Sequence, residues 1–156
     1  MKTSKVLFVI LFLVVSFSFL AFTKYYSEMD TAKKEVQSLI ESAYINGAFN
    51  KLDTKSMKAG FHADFAIFSA KGEVISKYPI ATWIEGIEKR KAKDDFDASK
   101  YKWEHNFASI DVTGGSAAAK VELSKEGKLV YTDYLSLLKF DSGWKIVGKV
   151  YHKHTD

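Results

Sequence analysis

The pattern of apolar and polar positions changes along the chain from a helical period to a period of two. In the first half, six apolar residues recur at spacings of three and four, which indicates one apolar stripe on a helix of about four to five turns. We expect a cap at Asp30 or Thr31 to begin this helix and Gly47 to end it. The residues of the stripe are Val36, Leu39, Ile40, Ala43, Tyr44 and Ala48.

Two further helices and a hairpin are predicted before residue 100. Residues 52–61 indicate a short helix with Asp53 or Thr54 as its cap. Residues 63–69 alternate and are rich in aromatic side chains, so they predict a strand that turns back at residues 71–73. A third helix begins after Pro79. Its apolar stripe consists of Ile80, Trp83, Ile84 and Ile87.

The second half of the chain reads as a meander of long strands. Residues 101–154 alternate with period two, and three turn signals divide them into four strands. The helices therefore gather in the N-terminal half beside about six strands, so the predicted class is α+β. A strongly curved antiparallel sheet with a long helix across it leaves a cone-shaped cavity, the concave apolar space that ligands favour.

The N-terminus carries a targeting signal. Lys2 and Lys5 precede an uncharged apolar run at residues 6–22, which is typical of a secretory signal peptide or a signal anchor. The small-residue cleavage options in it are poor, so cleavage and retention both stay open.

These features predict the domain organisation and the location of the protein. We predict a signal peptide or anchor at 1–23, a linker at 24–31 and the folded domain at 32–156. The protein is then exported to the periplasm or the extracellular space, or anchored in the membrane by residues 6–22.

Composition excludes several chemistries. The chain has no cysteine, so disulfides, thiolate metal sites and cysteine nucleophiles are absent. The net charge of +4 comes from scattered lysines without a clustered basic face, so no nucleic-acid partner is predicted. His152 and His154 share a strand face, but no third ligand stands at a recognisable spacing, and we predict neither a metal site nor a cofactor.

Five stretches of the sequence carry a resemblance to a known fold. They are VQSLIESAYINGAFNKL, GFHADFAIFSAKGEV, IATWIEGIEKR, IDVTGGSAAAKVEL and TDYLSLLKFDSGWKIVGKVY. Through them, residues 35–152 resemble the nuclear transport factor 2-like superfamily, the cone-shaped fold shared with SnoaL-type cyclases and ketosteroid isomerase. The last stretch and the FHAD step are most similar to the lumazine-binding subgroup. The resemblance implies a ligand cavity and, frequently, homodimers through the outer face of the sheet.

The resemblance does not bring a complete catalytic set with it. Alignment with ketosteroid isomerase puts Ser69 where that enzyme has its aspartate base and Leu39 where it has its donor tyrosine. SnoaL-type cyclases use acid–base aspartates and histidines inside the cavity. The catalytic candidates of those types in this chain are His105, Asp133 and Asp111.

Eight residues are candidates for lining the cavity. Core packing is the alternative role for Tyr44 and Trp83, and a hydrogen bond at a helix–strand corner is the alternative for His62. Asp133 and Tyr134 are adjacent in a strand and point to opposite faces, so only one can face the cavity, and we favour Asp133. The full set is Tyr44, His62, Trp83, Trp103, His105, Phe107, Asp133 and Tyr134.

Three functions remain open at the level of sequence. The first is a binding module that holds a small aromatic or hydrophobic ligand. The second is an interaction module that forms a homodimer through the sheet, and the third is a SnoaL-like enzyme with acid–base groups in the cavity. We favour the binding module, because the aromatic sheet is accompanied by no complete catalytic set.

Overall fold

The structure, a computed structural model, describes residues 27–154. The chain divides into two compact units, Met1–Ala32 and Lys33–Asp156. The predicted signal or anchor at 1–23 lies outside the described residues. Within the part that the structure describes, no helix combines the length and the apolar character needed to cross a membrane.

The described part of the first unit is helical. Helical conformation is already present at residues 27–32, before the start predicted at Asp30 or Thr31. The Thr31 hydroxyl does not cap this segment; it donates a hydrogen bond to the Ser27 carbonyl oxygen four residues earlier, at 2.9 Å. The predicted linker therefore contains helical residues.

The first helix of the second unit, α1, changes its winding along its length. It is α-helical over residues 33–39 and π-helical over Ile40–Asn50. At its end, the Lys51 N–H donates to the Asn46 carbonyl oxygen, five residues earlier, at 2.8 Å. The predicted stop at Gly47 is wrong, because the wider π turns carry the helix past this glycine.

The second helix, α2 (Thr54–Gly60), begins at its predicted cap. Asp53 Oδ1 accepts hydrogen bonds from the backbone N–H of Lys55 at 3.1 Å and of Ser56 at 3.2 Å. The prediction that this helix reaches Phe61 is wrong. Phe61 has φ −91° and ψ 146°, which is extended backbone, and it opens the first strand.

A glycine at the end of α2 allows this helix to pack tightly on α1. A Cβ atom built on Gly60 would lie 2.3 Å from the Cβ of Ala43, far closer than side-chain atoms approach one another. Any larger residue at Gly60 would push the two helices apart, and α1 carries a central residue of the candidate site.

Six strands and a third helix complete the second unit. The elements are β1 (Phe61–Lys71), β2 (Val74–Pro79), α3 (Ile80–Lys91), a 3₁₀ turn (Ala98–Lys100), β3 (Glu104–Thr113), β4 (Ser116–Lys125), β5 (Lys128–Phe140) and β6 (Gly143–Lys153). They form one curved, unclosed sheet in the order β2-β1-β6-β5-β4-β3. The α+β class, the three helices and the six strands are confirmed.

One pairing corrects the predicted antiparallel sheet. β1 pairs with β6 in parallel, whereas the other four pairings are antiparallel. Turns force an antiparallel arrangement only on strands that follow one another directly, and β1 and β6 are separated by most of the domain. The alternation of residues in each strand carried no information about this long-range pair.

The sheet has two unlike faces. Side chains that pair across neighbouring strands share a face. The inner face, on the side of α1, buries Val121, Leu123, Leu135, Leu137 and Ile146. The outer face exposes Tyr134, Leu138 and Val150.

Candidate ligand cavity

Three polar side chains meet between α1 and the inner face of the sheet. Lys149 Nζ lies 2.8 Å from Asp133 Oδ1 and donates to the Tyr44 hydroxyl oxygen at 2.6 Å. The Tyr44 hydroxyl donates in turn to Asp133 Oδ2 at 2.5 Å. Relative exposure is 0% for Tyr44 and Asp133 and 6% for Lys149. We call these residues the buried triad.

The position of Lys149 in the buried triad depends on a β-bulge. Leu137 pairs with Ile146, but the preceding residue, Ser136, pairs with Gly148, so Val147 is an extra residue in β6. The extra residue reverses the alternation of the strand beyond it. Lys149 consequently faces inward, although strict alternation from Ile146 would turn it outward.

One oxygen of the buried triad lacks a well-directed hydrogen bond. Asp133 Oδ1 is within ion-pair distance of Lys149, yet no hydrogen bond of good geometry reaches it. At this distance the opposite charges attract strongly whatever the angle between the groups, so the contact is an ion pair. Asp133 Oδ1 is therefore held by charge attraction rather than by a well-directed hydrogen bond.

Burial shifts the protonation of the triad. Desolvation lowers the pKa of Lys149 from its usual value, and the nearby Asp133 carboxylate opposes the shift. Desolvation raises the pKa of Tyr44 well above its usual value, and the Asp133 carboxylate raises it further. Burial thus favours the neutral amine of Lys149 and the neutral phenol of Tyr44.

Four aromatic rings surround the Lys149 ammonium group. Nζ lies 5.0 Å from the ring centroid of Tyr44, 5.1 Å from that of Tyr151, and 5.8 Å from those of Phe49 and Trp83. Distances below about 6 Å to a ring centroid are typical of cation–π attraction. The rings offset part of the cost of removing the charge from water.

The π-helical winding of α1 brings two of these rings together. Tyr44 and Phe49 are five residues apart, and their rings meet edge to face with centroids 5.1 Å apart. Residues five apart share one face of a helix when its hydrogen bonds join residues five apart, as in a π-helix. In an ordinary α-helix, Phe49 would not share the face of Tyr44.

A cavity of about 290 Å³ lies beside the buried triad. Lys149 forms part of its lining, and the exposed side chains of Tyr78 and Tyr151 stand on the side toward solvent. This volume is at the lower end of the range of ligand sites, about 300–1,000 Å³, and suits a small molecule. The lining consists of Phe49, Ile67, Ser69, Tyr78, Trp83, Tyr131, Lys149 and Tyr151.

Some of the predicted site residues meet at this cavity. Trp83 lines it, and Tyr44 and Asp133 lie directly behind Lys149. Trp103 stands next to it, with its ring centroid 5.5 Å from that of Phe49. The structure thus brings Tyr44, Trp83 and Asp133 together, with Trp103 one contact further away.

Other predicted residues lie elsewhere on the sheet. Tyr134 is on the outer face and 49% exposed, and Asp111 pairs with Ala118 on the same outer face. His105 and Phe107 lie on the edge strand β3, where their rings contact each other at 5.6 Å. His105 pairs with Leu123 and therefore lies on the inner face, but at the edge strand, two strands away from Asp133. Asp111 is on the opposite face, so His105 is not brought together with either aspartate.

His62 occupies a different cavity. Its Nδ1 accepts a hydrogen bond from the Asp64 N–H at 3.2 Å, which is the predicted alternative role at a helix–strand corner. The second cavity is larger, about 450 Å³. The charges beside it, such as Lys58 and Glu88, are exposed and paired with each other at 3.1 Å. Solvent screening makes them weaker determinants of ligand binding than the buried triad.

Lys149 and several aromatic residues of the cavity were not predicted as site residues from the sequence. Lys149 was taken as one of the scattered surface lysines, and the signal that could have corrected this is the run Ile146-Val147-Gly148. A glycine in the interior of a strand often marks a bulge, and a bulge reverses the faces of the strand beyond it. Phe49, Tyr131 and Tyr151 were also missed.

Metal binding receives no support from the described residues. Within residues 27–154, no group of three or more histidine, aspartate or glutamate side chains is arranged to hold a metal ion. The rings of His152 and His154 are 4.7 Å apart, and His154 Nε2 lies 2.9 Å from the Thr132 hydroxyl oxygen.

Comparison with known families identifies the class of the protein. The helices, the curved six-stranded sheet and the cavity are those of a nuclear transport factor 2-like domain. Residues 31–152 match the family described as "Putative lumazine-binding", and the chain belongs to this family. The resemblance recognised in the sequence is confirmed.

Several known proteins are similar to this chain. A nuclear transport factor 2-like protein of unknown function from Shewanella baltica is 27% identical, with a TM-score of 0.59 over 79% of this chain and 96% of its own. One from Methylobacillus flagellatus is also 27% identical, with a TM-score of 0.57 over 78% and 91%. Aldolase FrzH from a Cladobotryum species is 26% identical over 77% of this chain and 92% of its own length.

Proposed function

We propose that the protein binds a small planar ligand in the cavity beside the buried triad. The observation that carries this proposal is a buried lysine that lines a cavity with aromatic walls. An ammonium group has three donors; one donates to the Tyr44 hydroxyl oxygen, and the group forms an ion pair with Asp133. A further donor is available to a hydrogen-bond acceptor of the ligand.

The charge of the site favours a carbonyl oxygen over a strong anion as this acceptor. The Asp133 carboxylate already compensates the Lys149 ammonium in direct contact. A second anion would meet that carboxylate as a like charge in a poorly solvated site. The rings of Trp83 and Tyr151 supply faces and edges for stacking with a planar ligand.

Lumazine has the properties that such a site requires. It is a compact, planar bicyclic ring that carries carbonyl oxygens, so it can stack on aromatic side chains and accept a hydrogen bond from Lys149. A cavity of about 290 Å³ suits a ring of this size better than a ligand with a long sugar or nucleotide substituent. The description of the family supports the same ligand class.

Titration of the purified protein with lumazine tests this function. We expect saturable quenching of tryptophan fluorescence, since Trp83 lines the cavity. The variant Lys149→Met/Asp133→Asn removes both charges together and is expected to weaken binding about tenfold, the effect of one hydrogen bond to a charged donor. The matched control is Lys120→Met, the same substitution on the outer face. Lys120 pairs with Tyr134 there, on the opposite side of the sheet from the cavity. Equal affinity in all three proteins would overturn the proposal.

An enzyme that acts on carbon–carbon bonds is the second candidate function. The relative from Cladobotryum is called an aldolase, and the similarity covers almost all of its length. The specific observation in this chain is that the amine of Lys149, which lines the cavity, contacts the phenol of Tyr44 and the carboxylate of Asp133 directly behind it. This set shares Asp133 with the acid–base candidates predicted from the sequence, but not His105 or Asp111.

We also propose that residues 1–23 direct export or membrane anchoring. The basic start and the uncharged run at residues 6–22 support this. Fractionation of cells that express the full chain should find it in the membrane or outside the cytoplasm, and deletion of residues 1–23 should return it to the cytoplasm. The mass of the purified protein distinguishes a cleaved from a retained segment.

A further inference from the structure

We propose that Lys149 is a carbonyl-reactive amine, which forms a Schiff base with a small aldehyde or ketone held in the cavity. This inference rests on the proposed function, because it uses the same cavity and the same acceptor position. It goes further in assigning a covalent role to Lys149 and supporting roles in proton transfer to Asp133 and Tyr44.

Lys149 is buried and yet accessible from the cavity. Lys149 lines the cavity, so its nitrogen can be reached by a bound molecule, yet the residue is only 6% exposed. A lysine becomes a nucleophile when its neutral form is accessible, and desolvation in an apolar site is one of the established ways to achieve this. Burial lowers the pKa of Lys149, which acts in the same direction.

The Asp133 carboxylate lies where it can accept a proton from Lys149 Nζ. Lys149 Nζ is 2.8 Å from Asp133 Oδ1, the oxygen without a well-directed hydrogen bond. This oxygen can take the proton that the ammonium must lose before it attacks. The 2.8 Å separation is a hydrogen-bond distance, so the proton can pass directly between these two atoms.

The Tyr44 hydroxyl lies where it can donate a proton next to Lys149 Nζ. The Tyr44 hydroxyl oxygen is 2.6 Å from Lys149 Nζ, so a hydroxyl group on the carbon attached to Nζ comes within its reach. The pKa of Tyr44 is raised, so its hydroxyl is protonated and can donate to the leaving hydroxyl group. Tyr44 contacts Asp133 Oδ2, whereas the proton from Lys149 is taken up on Oδ1. Rotation of the protonated carboxyl about its Cβ–Cγ bond brings this proton to Tyr44, where it replaces the one donated.

The step balances without an external reagent. The Lys149 ammonium transfers one proton to Asp133, and the nitrogen lone pair then forms a bond to the carbonyl carbon. The carbonyl oxygen receives the second proton from nitrogen, which gives a carbinolamine. The carbon–oxygen bond breaks as Tyr44 protonates the leaving hydroxyl, and Asp133 restores the proton of Tyr44. One carbonyl compound and one ammonium thus give one iminium and one water, and nothing is oxidised or reduced.

Reductive trapping tests this inference on the full-length protein. The probe is benzaldehyde, whose planar ring matches the aromatic walls, with cyanoborohydride near neutral pH, where exposed lysines are protonated. We expect a single benzyl group per chain, located at Lys149 by peptide mapping. Labelling spread over exposed lysines, with Lys149 unmodified, would overturn the inference.

Variants separate the roles of the three residues. Lys149→Met/Asp133→Asn should give no specific label, whereas Lys120→Met should be labelled like the parent. Tyr44→Phe should slow labelling about a hundredfold, the lower end of the effect of general acid–base catalysis. An unchanged labelling rate in Tyr44→Phe would exclude Tyr44 as the proton donor.

Competition with lumazine distinguishes this inference from the proposed function without any substitution. If lumazine binds and protects Lys149 from benzaldehyde, both are supported. If lumazine binds but Lys149 is never labelled, the covalent role is wrong and the binding function stands. If lumazine does not bind and Lys149 is not labelled, both are wrong.

Discussion

The two faces of the β5–β6 strand pair contradict the usual distribution of residue types. The inner face buries a carboxylate and an ammonium, Asp133 and Lys149, whereas the outer face exposes the large apolar side chains of Tyr134, Leu138 and Val150. A hydrophobic pattern alone would assign the charges to solvent and the apolar residues to the core.

This difference indicates which face holds the function. An exposed apolar residue is common on protein surfaces, but a buried charged pair is costly, because desolvation of each ion takes several kcal/mol. Replacement of such pairs by apolar residues is often neutral or stabilising, so stability alone does not account for them. On the inner face, the pair adjoins a cavity, and a role in ligand chemistry is the natural explanation.

Among substitutions on the two faces, removal of one partner of the Asp133–Lys149 pair is expected to change the free energy of unfolding most. Lys149→Met leaves the Asp133 carboxylate buried without its counter-charge and should reduce the free energy of unfolding by about 3–5 kcal/mol. Lys149→Met/Asp133→Asn should recover most of this loss, because no charge stays buried. Urea denaturation measures both. A Lys149→Met variant as stable as the parent would contradict the account of a buried carboxylate that depends on its counter-charge.

An apolar substitution on each face gives the next largest contrast. Leu135→Ala on the inner face should cost about 2–5 kcal/mol, since it leaves a cavity in the core. Leu138→Ala on the outer face should change stability by no more than about 0.5 kcal/mol in the monomer. Denaturation curves of the two variants compare the faces directly. Similar losses would show that the outer face is also covered, which a second copy of the chain would explain.

Tyr44→Phe sharpens the account of the inner face. Loss of the hydroxyl removes the hydrogen bond to the Asp133 carboxylate and should cost about 1–3 kcal/mol. It should also change the dependence of stability on alkaline pH, which thermal unfolding at several pH values measures.

The sign of this pH effect follows from the pKa of Tyr44. That pKa is raised in the folded state. The resulting stability is present below the tyrosine pKa of the unfolded chain, about 10, and is lost as the pH rises further. The parent should therefore lose stability above this pH more steeply than Tyr44→Phe does. Lys149, whose pKa is lowered, acts in the opposite direction, because stability is lost as the pH falls through its folded-state pKa.

The smallest effect on stability is expected from Tyr134→Glu on the outer face. Tyr134 is half exposed, so the monomer should lose no more than about 0.5 kcal/mol. The homodimer through the sheet stays a prediction from the sequence, and this variant tests it. If light scattering finds a dimer, Tyr134→Glu should convert it to a monomer, whereas Lys149→Met/Asp133→Asn should not. A parent that is monomeric at every concentration would contradict the predicted homodimer.

Much of the fold could be predicted because its elements are local. The helical period, the cap at Asp53 and the three turn signals in the second half are properties of short stretches of sequence, and the structure confirms the elements. The errors occurred where the local pattern of residue types carried no signal. The parallel pairing of β1 with β6 joins distant parts of the chain, and the end of α1 beyond Gly47 depends on its π-helical winding.

The candidate site shows the same division between local and distant information. By itself, the sequence determined that Asp133 and Tyr134 face opposite sides of a strand and that an aspartate facing inward needs a partner, since both follow from the period of two and the cost of burying a charge. Only the tertiary structure decided that the partner is Lys149, because the bulge at Val147 turns this lysine inward. Only the π-helical winding of α1 places Phe49 beside Tyr44. Neither the bulge nor the wider winding follows from the sequence pattern, because the periods of two and 3.6 assume regular hydrogen bonding along each element.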